Sequence, residues 1–564
     1  MGIRLGTISS IKDNIIYCSN NSSTSFIGER VKFYRNDSNS SNIVNDLYCE
    51  GCIFEASENN FKILLIQGEQ QHLCIGDEIY GTSKTIRIKV GFSILGKTIN
   101  PFGKILSNHV TNKNDSVNEE EAFLENLFET EYRYISSSSP SIIDRKKVSK
   151  PLLTGINSID CLFPIGLGQR QLIIGDNNTG KTSLGISAIL NQRSFNNNSK
   201  ARYTNYYKYT YFKPCIYVSI GQKRSEVIRI QKILNNFNSD WFTSIIFTSS
   251  DNLPIIQYYA PYTGCAMGEW FMENGYDCIL VFDDLSKHSV AYRQITLLLR
   301  RPPGREAFPG DVFFLHSRLL ERSAQLSSDN GEGSLTSLPI IETLCGDVSS
   351  YIPTNVISIT DGQIFLSKEL LNRGVLPAVD LNLSVSRVGS SSQYKFMVSI
   401  SKLIKMQLSL YRQFKDAELL GSGSNDSVKN YVNRGKRLTL FFTQPLFSTN
   451  TYLKQIIYFY CLGEGFADNI DLRLTKFFLA SIFNIQFYSY LSHTNSVLYL
   501  DFFRNLNICE ENLSIFDYDF ISSKLYKLLF AFTIFFQSNI VPIITGFKDQ
   551  SYIWSLVSNY KDYF

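Results

Sequence analysis

No stretch of this 564-residue chain is apolar over enough length to cross a bilayer. The longest conspicuous run, Leu528–Phe536, falls far short of the roughly 20 residues that a spanning helix needs, so any membrane association has to come through partners. The amino terminus, Met1-Gly2-Ile3-Arg4-Leu5-Gly6, has neither a secretory apolar core nor an Arg- and Ser-rich amphipathic leader, and no import signal is expected. An excess of one charge sign is missing too. With 55 basic against 51 acidic side chains, a net +4 sustains no basic field of the kind nucleic acids need, so nucleic acid is not an expected partner and phosphate recognition must be local. The 11 cysteines follow no regular framework and read as reduced, packed thiols. Cys49 and Cys52 form a lone CxxC with His72 and Cys74 downstream, which can be drawn as a zinc site, but the surrounding residues read as ordinary strands.

What is present is a globular composition, 44% hydrophobic and 19% charged, in a chain long enough for about three domains. Residues 1–95 carry short β-rich runs such as Lys62–Ile66, punctuated by Gly and Asn, and predict a small barrel. A second domain, 96–393, is interrupted at about 107–145 by Asn, Ser and acidic residues that read as an inserted surface loop. Within it, Gln171–Ile174, Cys215–Ile220 and Cys278–Phe282 are expected as central parallel strands alternating with helices. Residues 394–505 show helical spacing, notably Tyr394–Leu420 and Thr451–Cys461, and 506–564 form a C-terminal extension. In that extension Leu525–Phe536 is apolar enough to need covering, and a terminal helix folded back on its own domain is expected.

The chemistry starts at Gly175-Asp176-Asn177-Asn178-Thr179-Gly180-Lys181-Thr182, a full G-x-x-x-x-G-K-[ST] phosphate loop placed between an apolar strand and a helical stretch, with Ser183 also expected to bind the nucleotide. Its glycines let backbone N–H groups converge on phosphate oxygens at a helix N-terminus, Lys181 can reach the outer phosphates, and Thr182 can ligate Mg²⁺. Cys278–Asp284 supplies the partner element, an apolar strand whose tip delivers Asp283 to the metal. Apolar runs ending in Asp are common; the phosphate loop upstream gives this one meaning.

Downstream, Leu299–Phe313 (L-R-R-P-P-G-R-E-A-F-P-G-D-V-F), His316–Arg322, Gly346–Ser349, Tyr351–Gln363 and Leu383–Ser390 closely resemble F-type ATP synthase alpha subunits. The resemblance is dense from about 150 to 393 and weak after about 505. It implies a multidomain α/β fold: an N-terminal β-barrel, a RecA-like P-loop nucleotide-binding domain and a C-terminal helical domain. Within the family, catalytic beta subunits carry a glutamate after the strand following the phosphate loop; here Val218–Arg224 matches the alpha version and puts Gln222 there. A neutral amide is no general base at pH 7, so this site is expected to hold ATP or ADP with Mg²⁺ and not to turn it over. Arg387 matches the family's arginine finger, lent to the catalytic site of the neighbouring beta subunit, with Ser358 its companion at that interface and Ser384 the signature serine before it. Pro377 and Gln444 match the base pocket. Departures from the pattern are Asn177 and Asn178 for arginine and glutamine, Leu376 for an arginine, and Leu446 for a glutamine.

The partners implied are beta subunits alternating in a hexameric ring, a central gamma stalk and a peripheral stalk, with membrane contact only through a membrane sector that carries protons. An added segment that meets the peripheral stalk in the family is not evident ahead of the barrel. Abundant Asn, Ile, Phe and Tyr point to an AT-rich genome, so a mitochondrial inner membrane, matrix side, is expected, with a bacterial plasma membrane or plastid thylakoid as alternatives. Two other readings stay open: an autonomous ring ATPase of the export or helicase kind, which Gln222 opposes, and a purely structural ring subunit, which intact Lys181, Thr182 and Asp283 oppose.

Overall fold

A computed structural model describes residues 3–12, 15–20, 25–34, 47–57, 60–68, 73–108, 131–196, 212–419 and 426–482, with positions 526, 529, 530 and 533. Six antiparallel strands, β1 (Ile3–Lys12), β2 (Ile15–Asn20), β3 (Glu29–Tyr34), β4 (Leu47–Ala56), β5 (Asn60–Gln67) and β6 (Glu78–Thr85), close into a barrel in the order β1-β2-β5-β4-β3-β6. Strand alternation decides which side chains fill it: in β3, Val31 and Phe33 point inward and Lys32 and Tyr34 lie nearer solvent. The same alternation disposes of the zinc drawing. Cys49 and Cys52 are three residues apart on β4, so they face opposite sides: Cys49 joins the barrel core, while Cys52 packs against the α/β core with its Sγ 3.3 Å from the Tyr259 hydroxyl. His72 lies outside the described residues.

Contacts divide the chain into two compact units: residues 1–148, 167–368 and 380–387 in the first, and 149–166, 369–379 and 388–564 in the second. After the barrel, the first unit holds β7 (Arg87–Val90), β8 (Lys97–Ile99), β9 (Ile105–Asn108) and β10 (Glu131–Tyr134). The second holds a short antiparallel pair, β11 (Pro151–Leu152) with β12 (Ile165–Gly166). Returning to the first unit, β13 (Leu172–Asp176), β14 (Cys215–Gln222), β15 (Thr243–Ser249), β16 (Asp277–Asp283), β17 (Ser334–Thr343), β18 (Gly362–Leu366) and β19 (Val385–Ser386) complete a nine-stranded sheet ordered β19-β18-β13-β17-β16-β14-β15-β8-β9. Pairing is parallel from β18 to β8 and antiparallel at both edges. The expected central strands are β13, β14 and β16, buried along nearly their whole length as parallel strands covered by helices are.

The stretch at about 107–145, expected as an inserted loop, is not loop throughout. Glu131–Tyr134 pairs antiparallel with β7, Trp270 donates to Glu131 at 3.1 Å, and Arg133 donates to Glu273 at 2.8 Å. Glu-Tyr-Arg-Tyr has the two-residue period of a strand, which the surrounding polar composition masked. The acidic run Glu119–Glu121 lies outside the described residues.

The second unit is helical: 157–162, Lys395–Leu419, Asp426–Phe442, Tyr452–Gly463 and Thr475–Ser481. Its core includes Phe396, Ile404, Phe459, Phe477 and Phe478. Buried Asp160 accepts from the N–H groups of Thr154 and Gly155, the Thr154 hydroxyl and the Gln455 amide. Most of the expected C-terminal helix, 525–536, falls outside the described residues; within it Leu529 is buried and Tyr526 lies edge-on to Phe466. Among the described residues no helix is long and apolar enough to cross a membrane.

Candidate functional site

The phosphate loop sits where an open parallel sheet places a ligand, at the carboxyl end of β13. Asn178 (φ 62°) and Gly180 (φ 96°) take left-handed backbone conformations, which Asn tolerates and Gly adopts freely, and the helix Lys181–Asn191 follows directly. A Cβ on Gly180 would meet nothing within 4 Å, so the glycine is there for its backbone angle. Asp176 locks the loop from beneath: its Oδ1 accepts from the Thr343 hydroxyl at 2.7 Å and the Gly346 N–H at 2.6 Å, and its carbonyl accepts from the Thr179 hydroxyl at 2.8 Å. Asn177 lies at the loop tip and is exposed.

Lys181 is buried, with its Nζ donating to the carbonyls of Gly175 at 3.0 Å and Asp176 at 2.6 Å and lying 3.8 Å from Glu342. Burial pulls its ammonium below the usual lysine range, opposed by the surrounding carboxylates. An ammonium whose hydrogen bonds, among the described residues, go to two backbone carbonyls has room for a polyanion as its partner. Thr182 donates its hydroxyl to Asp283 Oδ2 at 2.7 Å, and Ser183 follows in the same first helical turn, half-buried. Burial raises the Asp283 carboxyl above the usual range, while hydrogen bonds from Tyr217 and Thr182 oppose the rise. A buried carboxylate beside a threonine hydroxyl at the mouth of a phosphate loop is a donor set suited to Mg²⁺. The residues therefore fit a Mg-nucleotide.

Gln222 ends β14 next to β16, half-buried, with its Nε2 donating to the Asp283 carbonyl at 3.4 Å. The sheet thus brings it to the metal side of the loop, where a water-activating base would be needed, and supplies an amide.

Arg387 follows the two-residue β19, which pairs antiparallel with β18. Its backbone N–H donates to the Asp361 carbonyl at 2.8 Å, but its side chain is exposed and makes no hydrogen bond or ion pair among the described residues. Ser358 is exposed in the last turn of the helix Tyr351–Ile359, its hydroxyl donating back to the Asn355 carbonyl at 2.6 Å. Ser384 does not face outward with it: it is buried, and its hydroxyl accepts from the Phe365 N–H at 3.0 Å, so it fastens the segment.

In the second unit, the Leu376–Pro377 peptide is cis and Pro377 is half-buried. Gln444 is buried and its amide is fully engaged, with Oε1 accepting from the Asn157 N–H at 2.8 Å and Nε2 donating to the carbonyls of Gly155 and Ser448, both at 3.2 Å. Those bonds fasten the loop that carries Gln444, through backbone groups of residues 155, 157 and 448.

Several contributors went unread. Tyr217 lies fully buried in mid-β14 and donates to Asp283 Oδ2. Burial and Asp283 raise its phenol well above the usual range, so it stays a donor. A phenol in a buried central strand was the available signal. Arg170 forms a forked pair with Asp361, through Nε at 3.0 Å and Nη2 at 2.8 Å, beneath Arg387; nothing local in the sequence joins them.

Against known proteins, the nucleotide-binding domain of the ATP synthase alpha/beta family matches residues 155–386, and the C-terminal domain of ATP synthase alpha/beta chains matches residues 393–497. The protein is also 42% identical over 468 residues to an ATP synthase subunit alpha of Neorickettsia sennetsu, an alignment that takes in 83% of the protein described here and 85% of that relative. With a barrel, a P-loop sheet and a helical unit in the same order, the chain belongs to the ATP synthase alpha/beta family.

Proposed function

We propose that this chain is the alpha-type subunit of a proton-transporting ATP synthase head, holding Mg-nucleotide at its own phosphate loop without hydrolysing it. The observation that carries the non-catalytic reading is Gln222, an amide beside Asp283 where catalysis requires a base. Lys181 and the loop N–H groups would hold the phosphates, and Thr182 and Asp283 the Mg²⁺, which when bound neutralises charge between phosphate oxygens. Pro377 and Gln444 are carried over from the family pattern alone as the residues for the nucleotide base.

The exposed Arg387, whose side chain is unpaired among the described residues, supports a role outside this chain: it reaches into the catalytic pocket of an adjacent beta subunit, with exposed Ser358 as its companion and Ser384 as its fastening. A planar guanidinium suits the charge spread over a transferring phosphoryl group. The assembly would be an alternating ring with beta subunits around a gamma stalk, braced by a peripheral stalk, on the matrix side of a mitochondrial inner membrane. Because the relative is bacterial, a bacterial plasma membrane is the second reading.

Equilibrium binding of ATP and hydrolysis by the isolated chain test this. Binding without turnover is expected. Binding with turnover would make it an autonomous ring ATPase, and neither would make it a structural subunit.

A further inference from the structure

We propose that Gln171 is a positioning residue for Arg387, acting at the head of a three-residue clamp, Gln169-Arg170-Gln171, that sets where the guanidinium is delivered. The inference rests on the reading of Arg387 as a finger for the neighbouring site. A two-residue strand is a short mooring: the ladder of β19 consists of the pairs Gly362↔Ser386 and Gln363↔Val385. The clamp adds what the ladder lacks. Gln171 Nε2 donates to the Val385 carbonyl at 3.1 Å, and its Oε1 accepts from Gln169 Nε2 at 2.8 Å. Gln169 Nε2 also lies 3.3 Å from the Ser386 hydroxyl. Arg170 grips Asp361 by its N–H at 3.0 Å and by its guanidinium, and the Asp361 carbonyl in turn accepts the Arg387 N–H. Arg170 is itself steadied by Glu321 Oε1 at 2.6 Å.

Both glutamine side chains are fully buried, so their amides have no water to exchange with and their geometry is fixed. Packing at the contact is close: a Cβ on Gly362 would fall 2.3 Å from the Val385 carbonyl oxygen and 3.0 Å from Gln171 Oε1. Consecutive residues thus hold 385, 386 and 387, and they lead straight into β13, the strand that carries the chain's own phosphate loop. The arginine side chain is long and, among the described residues, unpaired, so its reach is decided by where its backbone stands. A misplacement of about 1 Å costs on the order of 10²-fold in rate.

The test uses the assembled complex with Gln171→Met, close to isosteric but without donor or acceptor amide, and with Arg387→Ala, singly and together. The readout is the affinity of the catalytic sites for MgADP with aluminium fluoride, a mimic of the transferring phosphoryl group, divided by their affinity for MgADP alone, alongside kcat and KM. Gln171→Met is expected to lower kcat and this ratio by about ten- to a hundredfold with KM unchanged, and to leave the ratio unmoved when Arg387 is already alanine. Equal losses in both backgrounds, or a normal ratio in Gln171→Met beside a collapsed one in Arg387→Ala, would overturn the positioning role alone. A normal ratio in Arg387→Ala would overturn the finger reading and the proposal with it. Should Gln171→Met fail to assemble, Gln169→Met gives the same comparison, with a smaller drop expected because it keeps the Gln171–Val385 bond.

Discussion

The hydroxyl of Thr182 and the carboxylate of Asp283, 101 residues apart in the sequence, meet at 2.7 Å where the phosphate loop faces the tip of β16. The threonine hydroxyl makes no other hydrogen bond among the described residues, so the pair is expected to serve the metal. In Thr182→Val, Mg²⁺ should no longer strengthen nucleotide binding by the isolated chain, while metal-free binding changes little. Titrating ATP with and without a chelator checks this, and an undiminished Mg²⁺ effect would remove Thr182 from the metal site.

Lys181→Ala is expected to weaken nucleotide binding at this chain's own site and, on the proposed non-catalytic reading of the loop, to leave turnover of the assembled complex largely intact. Loss of turnover as complete as a catalytic-site knockout would show that the loop is catalytic after all.

Arg387→Lys keeps the charge and loses the planar fork, so turnover by the complex should fall by about 10³-fold or more. Nucleotide binding by the isolated chain should be unchanged, because the side chain makes no hydrogen bond or ion pair among its described residues. Near-normal turnover, or lost binding in the isolated chain, would contradict the assignment.

Arg322 is fully buried and forked onto Glu269, through Nε at 2.5 Å and Nη2 at 2.7 Å, with a third bond to the Ile135 carbonyl at 2.9 Å. Arg322→Ala strands a buried carboxylate and should destabilise the first unit by about 3–5 kcal/mol. Replacing both partners by apolar residues, Arg322→Met with Glu269→Leu, should cost less. Denaturant midpoints of the three proteins decide the order.

His288 and His316 form a buried pair in which the protons have one consistent arrangement. The Tyr258 carbonyl can only accept, so His288 Nε2 donates to it at 3.1 Å, and His288 Nδ1 then accepts from His316 Nε2 at 3.3 Å. Burial lowers His288 from 6.5 to about 4, and burial together with His288 lowers His316 to about 3. Below pH 6.5 the unfolded chain takes up protons that the folded one refuses. Stability is therefore fully present above that pH and falls as pH drops toward 4 and then 3, by up to about 1.4 kcal/mol per pH unit per histidine. Unfolding curves at pH 7 and pH 5 should show the loss, and His288→Gln should reduce its slope.

How much of this was legible depended on how local each feature is. The phosphate loop is a contiguous backbone structure, so its eight residues announced it, and β13, β14 and β16 showed as apolar runs because parallel strands are buried on both faces. Asp283 stood out through its position at a strand tip taken together with the phosphate loop upstream. Tyr217, by contrast, takes its role from a neighbour 66 residues away, and Arg170 meets Asp361 across 191. Contacts at that separation are made by sheet order, which no window of sequence contains. Gln444 stands at a visible motif position, but the backbone groups its amide bonds, of residues 155, 157 and 448, could not be read there. The same holds for Ser384, whose hydroxyl bonds the Phe365 N–H.

The closed barrel of β1 to β6 bears on how such chains crowd together. A sheet with open margins offers its unpaired N–H and C=O groups to whatever strand drifts by, including a copy of itself. Here each of the six strands is bonded on both sides, so no margin is on offer. When many such barrels stand shoulder to shoulder, backbone cannot fuse them into one continuous ribbon. Adhesion between barrels falls to side chains alone, whose identities can tell one kind of neighbour from another.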